Sequence, residues 1–417
     1  MRLLLKMFKN TVLLFVLVLI SCGNSPKEKS LLNTPIKNQV LETSRDSVIK
    51  KPIVVGANKT QDYFPKLTGK TIGIVANQTS VIFNENDYTH IVDSLYNSNI
   101  NIKAVFAPEH GFRGKADAGE IVKDGIDTKT GLPIVSLYGN NKKPTPEQLQ
   151  DIDLIVFDIQ DVGARFYTYI STLHYVMEAC AENNISVLVL DRPNPNGHYI
   201  DGPILEPEYK SFVGMHPVPI VHGMTIGEYA QMINGEGWLK NGVSCGLSVI
   251  KMINYSHKTP YSLPIKPSPN LPTDQAINLY PSLCFFEGTN VNAGRGTKTP
   301  FEVFGSPFLS QNTYTYTYTP QSNDGAKYPK HKDVLCYGKN LSHIKQLNHL
   351  DLNYLIEAYN NTSDQTTFFN SFFTKLAGTK TLQKQIEDGL TVSEIKKTWA
   401  LDLNAYEKMR KPYLLYN

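Results

Sequence analysis

An acid, an imidazole and a guanidinium stand within five residues in Glu109-His110-Gly-Phe-Arg113, just after the apolar run Ala104-Val-Phe-Ala107. A carboxyl so placed can give or take a proton, an imidazole can do either near neutral pH, and a guanidinium can grip an anion through two parallel hydrogen bonds. Two more apolar runs end in similar clusters. Leu154–Phe157 leads into Asp158, Gln160, Asp161 and Arg165, and Val187–Leu190 leads into Asp191, Arg192, Asn194 and Asn196. Further along, His222 follows Pro217–Val221, and Glu287, Asn290, Asn292 and Arg295 stand among the glycines of the 285–297 stretch. Amides, carboxylates and arginine bond hydroxyls, and rings such as Phe166, Tyr167 and Tyr169 cover an apolar face, which together suit a sugar.

Structural roles compete for the same residues. Asp158 and Asp191 are placed to cap the turn or helix that follows, and Arg113 and Arg165 to pair with nearby acids. His110 can serve as a hydrogen-bonded strut, and Glu109 can be tied up by Arg113. Glu109 keeps the strongest catalytic claim, because it sits where a strand tip enters a tight turn.

The elements that must position these groups are short β-branched runs: 71–76, 102–106, 134–137, 154–158 and 187–191. Their near-continuous apolar character predicts strands buried on both faces. Segments with helical spacing lie between or after them, at 88–97, 172–183 and 225–234, the last opened by Thr225 with Glu228 at capping-box distance. Strands alternating with helices predict an α/β fold with a Rossmann-like, doubly wound parallel sheet. In such sheets ligands bind outside the carboxyl ends of the strands, where the polar clusters fall. Beyond about residue 255 the chain turns Pro-rich before mixed elements resume. This marks either a domain boundary or a long connection wrapping the site. The period-two repeat Thr313–Thr319 suits an edge strand or a surface loop equally.

Several classes fall away. The chain has 417 residues, 41% of them hydrophobic, and a formal charge of only +3, which gives no field for nucleic acid. No G-x-G-x-x-G opens the first helix, Gly294-Arg-Gly-Thr-Lys-Thr299 lacks the upstream glycine of a P-loop, and G-x-S-x-G is missing. No cofactor and no metal site are expected. Cys180, Cys245, Cys284 and Cys336 have no metal-like spacing and read as buried thiols, with two disulfides still open.

The N-terminus reads as an address. Arg2, Lys6 and Lys9 precede a short apolar run, and Leu19-Ile-Ser-Cys22-Gly resembles a bacterial lipobox, with Cys22 as the lipidation site. Residues 1–22 are then a lipoprotein signal peptide, residues 23–52 a flexible tether, and the protein a lipid-anchored lipoprotein of the cell envelope, periplasmic or on the outer membrane.

Pro108-Glu-His-Gly-Phe-Arg-Gly114, Asp158-Ile-Gln-Asp-Val-Gly-Ala-Arg-Phe-Tyr-Thr-Tyr169, Leu190-Asp-Arg-Pro-Asn-Pro195, Pro219–Glu228 and Phe286-Glu-Gly-Thr-Asn290 with Gly294-Arg-Gly-Thr297 together resemble the NamZ family of exo-β-N-acetylmuramidases. The resemblance runs from about residue 55 to the C-terminus, and it implies a Rossmann-like catalytic domain over 53–255 joined to a smaller C-terminal α/β domain over 256–417, with the site in the cleft between them. It implies a glycoside hydrolase that removes N-acetylmuramic acid from the non-reducing end of peptidoglycan fragments. Glu109 is then the acid/base candidate, and Asp158, Asp161 and Glu287 are the acids available as a second catalytic group. His110, Arg113, Arg165, Tyr167, Asp191, Arg192, His222, Asn290 and Arg295 are expected to bind substrate, with Arg113, Arg165 or Arg295 facing the lactyl carboxylate. Two other activities fit the same residues: a sugar-binding envelope lipoprotein without catalysis, and a metal-assisted hydrolase using His110, His222 and the acids.

Overall fold

Alternate residues of the central strands enter different cores. Val75, Phe106, Ile155, Phe157, Val187 and Val189 point into one apolar cluster, and Ile74, Val105, Val156, Leu188 and Leu190 into another on the opposite face. Period-two side-chain alternation with both faces covered is what near-continuous β-branched runs produce. The computed structural model describes residues 51–113, 120 and 123–417. The expected signal peptide, Cys22, most of the tether and Gly114 of the first motif lie outside the described residues.

Along the chain come β1 (Thr71–Ala76), β2 (Val81–Phe83), β3 (Tyr88–His90), β4 (Asn101–Ala107), β5 (Gly125–Ile126), β6 (Pro133–Ser136), β7 (Leu154–Asp158), β8 (Ser186–Leu190) and β9 (Leu247–Ile250). Seven of these form one sheet in the order β5-β6-β4-β1-β7-β8-β9. Only β5 pairs antiparallel. Counting the parallel strands alone, the order is the doubly wound 3-2-1-4-5-6, which reverses beside β1 and opens a crevice there. The fold is thus the expected α/β architecture with a parallel sheet.

Several local expectations shift. The 88–97 segment does not begin as a helix, because Tyr88–His90 pairs with Val81–Phe83 as a hairpin. His90 then caps Ile91–Asn97 by accepting from the Val92 N–H. The helix at 225 starts as expected, with Thr225 and Glu228 closing a capping box.

The C-terminal region has its own three-stranded sheet, β10 (Val303–Ser306), β11 (Tyr316–Tyr318) and β12 (Cys336–Asn340), in the order β10-β12-β11. The Thr-Tyr repeat therefore supplies an edge strand. Helices Val392–Thr398 and Ala400–Arg410 lead into a tail that docks on the first domain, where Leu415 N–H donates to Glu228 at 2.7 Å and Tyr416 OH to Asp191 at 2.6 Å. Phe285, Phe304, Phe368 and Tyr406 share one apolar cluster with Phe106 and Phe157, so burial is continuous between the two regions. The four cysteines are buried free thiols. Among the described residues no helix is long and apolar enough to cross a membrane.

Candidate active site

The chain leaves β4 at Ala107 and turns at once. His110 and Gly111 both have left-handed backbones, φ 69° and 76°, and Gly111 N–H donates to Pro108 O at 3.0 Å. Glycine takes that conformation freely and histidine seldom does, so the turn is held by its surroundings. It sets Glu109 and His110 on the wall of a cavity of about 500 Å³, a size suited to a small ligand.

Glu109 is nearly buried, and both its oxygens are engaged. Oε1 accepts from Tyr138 OH at 2.9 Å and Oε2 from Thr168 Oγ1 at 2.6 Å. Glu287 and Arg295 line the same cavity, 3.6 Å apart. The segment carrying Glu287 is braced from behind by Lys330, whose ammonium donates to the carbonyls of Phe286, Thr289 and Val291 and is lowered to about 8 by burial. Tyr167, Phe212, Tyr280 and Phe372 supply aromatic wall, and Lys142, Ser268 and Asn270 add polar groups. The Cys284 thiol, also on the wall, is pushed up by burial.

Of the thirteen residues expected at the site, the cavity wall thus gathers Glu109, His110, Tyr167, Glu287 and Arg295. The other eight do not line the cavity. Asp158 has no exposed surface and takes Arg192 Nε and Nη2 on its two oxygens, while Arg192 Nη2 also reaches Val81 O. Burial pushes the Asp158 carboxyl up, and the guanidinium opposes the shift. Asp191 crowns the N-terminus of Ile226–Gly235, accepting from Thr225 Oγ1, Gly227 N–H and Tyr416 OH, and burial raises it to about 7. Arg113 turns away to Asp127 at 2.8 Å and Asp93 at 3.2 Å.

Arg165 is sealed from solvent and donates to the carbonyls of Pro203, Val218, Leu376 and Ala377. Burial lowers its guanidinium to about 9. Asp161 accepts Gly163 N–H at 2.7 Å, with burial raising it to about 7. His222 lies 3.8 Å from it, lowered to about 3 by burial and by Arg410 and Arg165. Asn290 works through its backbone, its carbonyl accepting from Ser306 Oγ and His331 Nε2. His110 and His222, weighed as joint metal ligands, differ in place: only His110 lines the cavity. Among the described residues no group of three or more His, Cys, Asp or Glu is arranged to hold a metal ion.

Residues 72–275 match the family model described as "Exo-beta-N-acetylmuramidase NamZ, N-terminal", and residues 278–416 match "Exo-beta-N-acetylmuramidase NamZ, C-terminal". The chain belongs to the NamZ family. The peptidoglycan beta-N-acetylmuramidase NamZ of Bacillus subtilis (strain 168) is 41% identical over 396 residues, which cover 89% of this chain and 94% of that one. Two solved DUF1343 family proteins from Bacteroides fragilis NCTC 9343 are similar in structure. One has a TM-score of 0.81 at 47% identity, the other 0.71 at 29%, each covering 88% of this chain and 99% of its own. The boundary between the two NamZ models falls between residues 275 and 278, and the cavity is lined from both sides of it.

Sequence reasoning missed Tyr138, Thr168, Lys142 and Phe212. A lone hydroxyl or ring in an ordinary turn carries no spacing signal. Thr168 alone stood inside a quoted motif, between two tyrosines that drew attention as rings.

Proposed function

We propose that this protein is an exo-β-N-acetylmuramidase that releases N-acetylmuramic acid from the non-reducing end of peptidoglycan fragments, with Glu109 and Glu287 as its working carboxylates. The observation that carries the reading is their placement: of the four acids considered, these two line the cavity. Hydrolysis of a glycosidic bond needs a proton for the departing oxygen and a second group acting at the anomeric carbon. Asp158 and Asp161 are withdrawn into the interior and serve the scaffold.

Arg295 is the arginine of the three candidates that lines the cavity, so it is assigned the lactyl carboxylate, with Lys142 as a second positive group on the wall. Tyr167, Tyr280 and Phe212 are assigned the apolar sugar faces. The lipobox at Cys22 supports an exported, lipid-anchored protein of the cell envelope, placed where cell-wall fragments arise.

The test is sugar release from a chromogenic β-N-acetylmuramide by the protein lacking residues 1–22, beside Glu109→Gln. Turnover that collapses in the variant while binding persists is the expected result. Equal sugar binding by both proteins without turnover would establish the sugar-binding lipoprotein instead.

A further inference from the structure

The threonine that touches Glu109 breaks a habit of this protein. Thr145, Thr225, Thr273 and Thr391 each stand at the N-cap of a helix and accept the N–H three residues on. Thr168 is the N-cap of the 14-residue helix Tyr169–Glu182, yet its side chain makes no cap bond. Its hydroxyl donates to Glu109 Oε2 at 2.6 Å instead. Its backbone is helical, φ −73° and ψ −7°, whereas the four capping threonines are extended, so its side chain is turned from the helix end to the cavity carboxyl.

Tyr138 completes the hold on the other oxygen, at 2.9 Å. An ionised carboxylate only accepts hydrogen bonds, so two hydroxyl donors suit it. On a protonated carboxyl the oxygen that carries the proton is a poor acceptor, so one of the two bonds would weaken.

We propose that Thr168 and Tyr138 are positioning residues that hold Glu109 as a fixed carboxylate, so that Glu109 takes the proton of the attacking water and does not protonate the departing oxygen. This rests on the reading of Glu109 as a catalytic group. In the balanced step the glycosidic C–O bond breaks and the departing oxygen gains a proton from another group on the cavity wall. The hydroxyl of water ends on the anomeric carbon, and the remaining water proton passes to Glu109.

Leaving-group dependence separates the two roles. A nitrophenolate departs without a proton, whereas a sugar alkoxide needs one, so damage to a proton donor is hidden by the first substrate and damage to a base is not. The experiment compares Thr168→Val, Thr168→Ser, Tyr138→Phe and Glu109→Gln with wild type. The substrates are 4-nitrophenyl β-N-acetylmuramide and the disaccharide of N-acetylmuramic acid on N-acetylglucosamine. Thr168→Val is expected to lose about tenfold or more in kcat on both, the factor one charge-assisted hydrogen bond is worth, with KM within about twofold. Thr168→Ser, which restores the hydroxyl, recovers most of the rate. If Thr168→Val does not fold, Tyr138→Phe at the half-buried side of the pair carries the same expectation.

Loss confined to the disaccharide would make Glu109 the proton donor and overturn the proposal. So would wild-type rates in Thr168→Val and Tyr138→Phe, or a Thr168→Ser variant as slow as Thr168→Val. An active Glu109→Gln would overturn the catalytic reading itself, and this proposal with it.

Discussion

Asp158 and Arg192 meet as a two-pronged pair, Nε to Oδ1 at 2.6 Å and Nη2 to Oδ2 at 2.8 Å, with almost no surface on either side chain. Asp158 ends β7 and Arg192 follows the adjacent parallel β8, so the two side chains come together once the sheet forms. Removing one partner strands the other charge in the interior, which costs about 3–5 kcal/mol. Asp158→Asn is expected to lose that much in urea unfolding. The fraction that stays folded should turn over at nearly the wild-type rate. A variant of full stability and no activity would return Asp158 to the reaction.

Arg165 holds the two halves of the chain together, since two of its carbonyl partners precede residue 220 and two follow residue 375. Each carbonyl left unpaired in the interior costs about 1–3 kcal/mol. Arg165→Met is expected to destabilise by at least about 3 kcal/mol, read as a lowered urea midpoint. Amide exchange should rise around 203–218 and 376–377 together. Unchanged protection at those segments would show that other contacts carry the junction.

Asp161 makes stability depend on pH in a stated direction. Its carboxyl titrates at about 7 in the folded protein, against about 4 when unfolded. Between those values the folded state binds the extra proton, so this group's contribution is fully present below about pH 4 and is lost as pH rises through 7. Asp161→Asn removes the dependence. The variant is expected to gain about 2–3 kcal/mol on wild type between pH 5 and pH 8, measured as the difference of unfolding free energies. His222, lowered to about 3, acts oppositely: its contribution is present above about 6.5 and lost as pH falls towards 3. It is common to both proteins and largely cancels in the difference. A flat difference across that range would contradict the burial argument.

Arg295 is expected to read the group that distinguishes N-acetylmuramic acid from N-acetylglucosamine. Arg295→Ala should raise KM for the chromogenic N-acetylmuramide by about 10- to 100-fold, the worth of a hydrogen bond between charged groups. Any slow turnover of the matching N-acetylglucosaminide should scarcely change. Arg295→Lys should rescue only in part, because the ammonium lacks the two-pronged geometry. Equal losses on both sugars would assign Arg295 to holding Glu287 in place.

The amino-acid sequence by itself determined the sheet strands, because β-branched runs at 71–76 and 154–158 can bury two faces at once and in the structure form β1 and β7 at those bounds. It also determined the cap at Thr225 and, through the Glu-His-Gly turn after β4, one wall of the site. Local chemistry suffices for such features: a side chain's own period, or a backbone angle that few residues adopt. Only the tertiary structure decided which polar groups face the cavity. Asp158 and Glu109 look alike as acids at strand tips, and what separates them is that a guanidinium 34 residues away closes off Asp158 in the interior while Glu109 stays on the cavity wall. Arg165, Arg113 and Asp191 were withdrawn in the same way, since a buried charge must find its hydrogen bonds wherever the fold brings them. Glu287 and Arg295 joined Glu109 because the C-terminal region packs against the first domain, a contact between residues far apart in the chain that no spacing rule encodes.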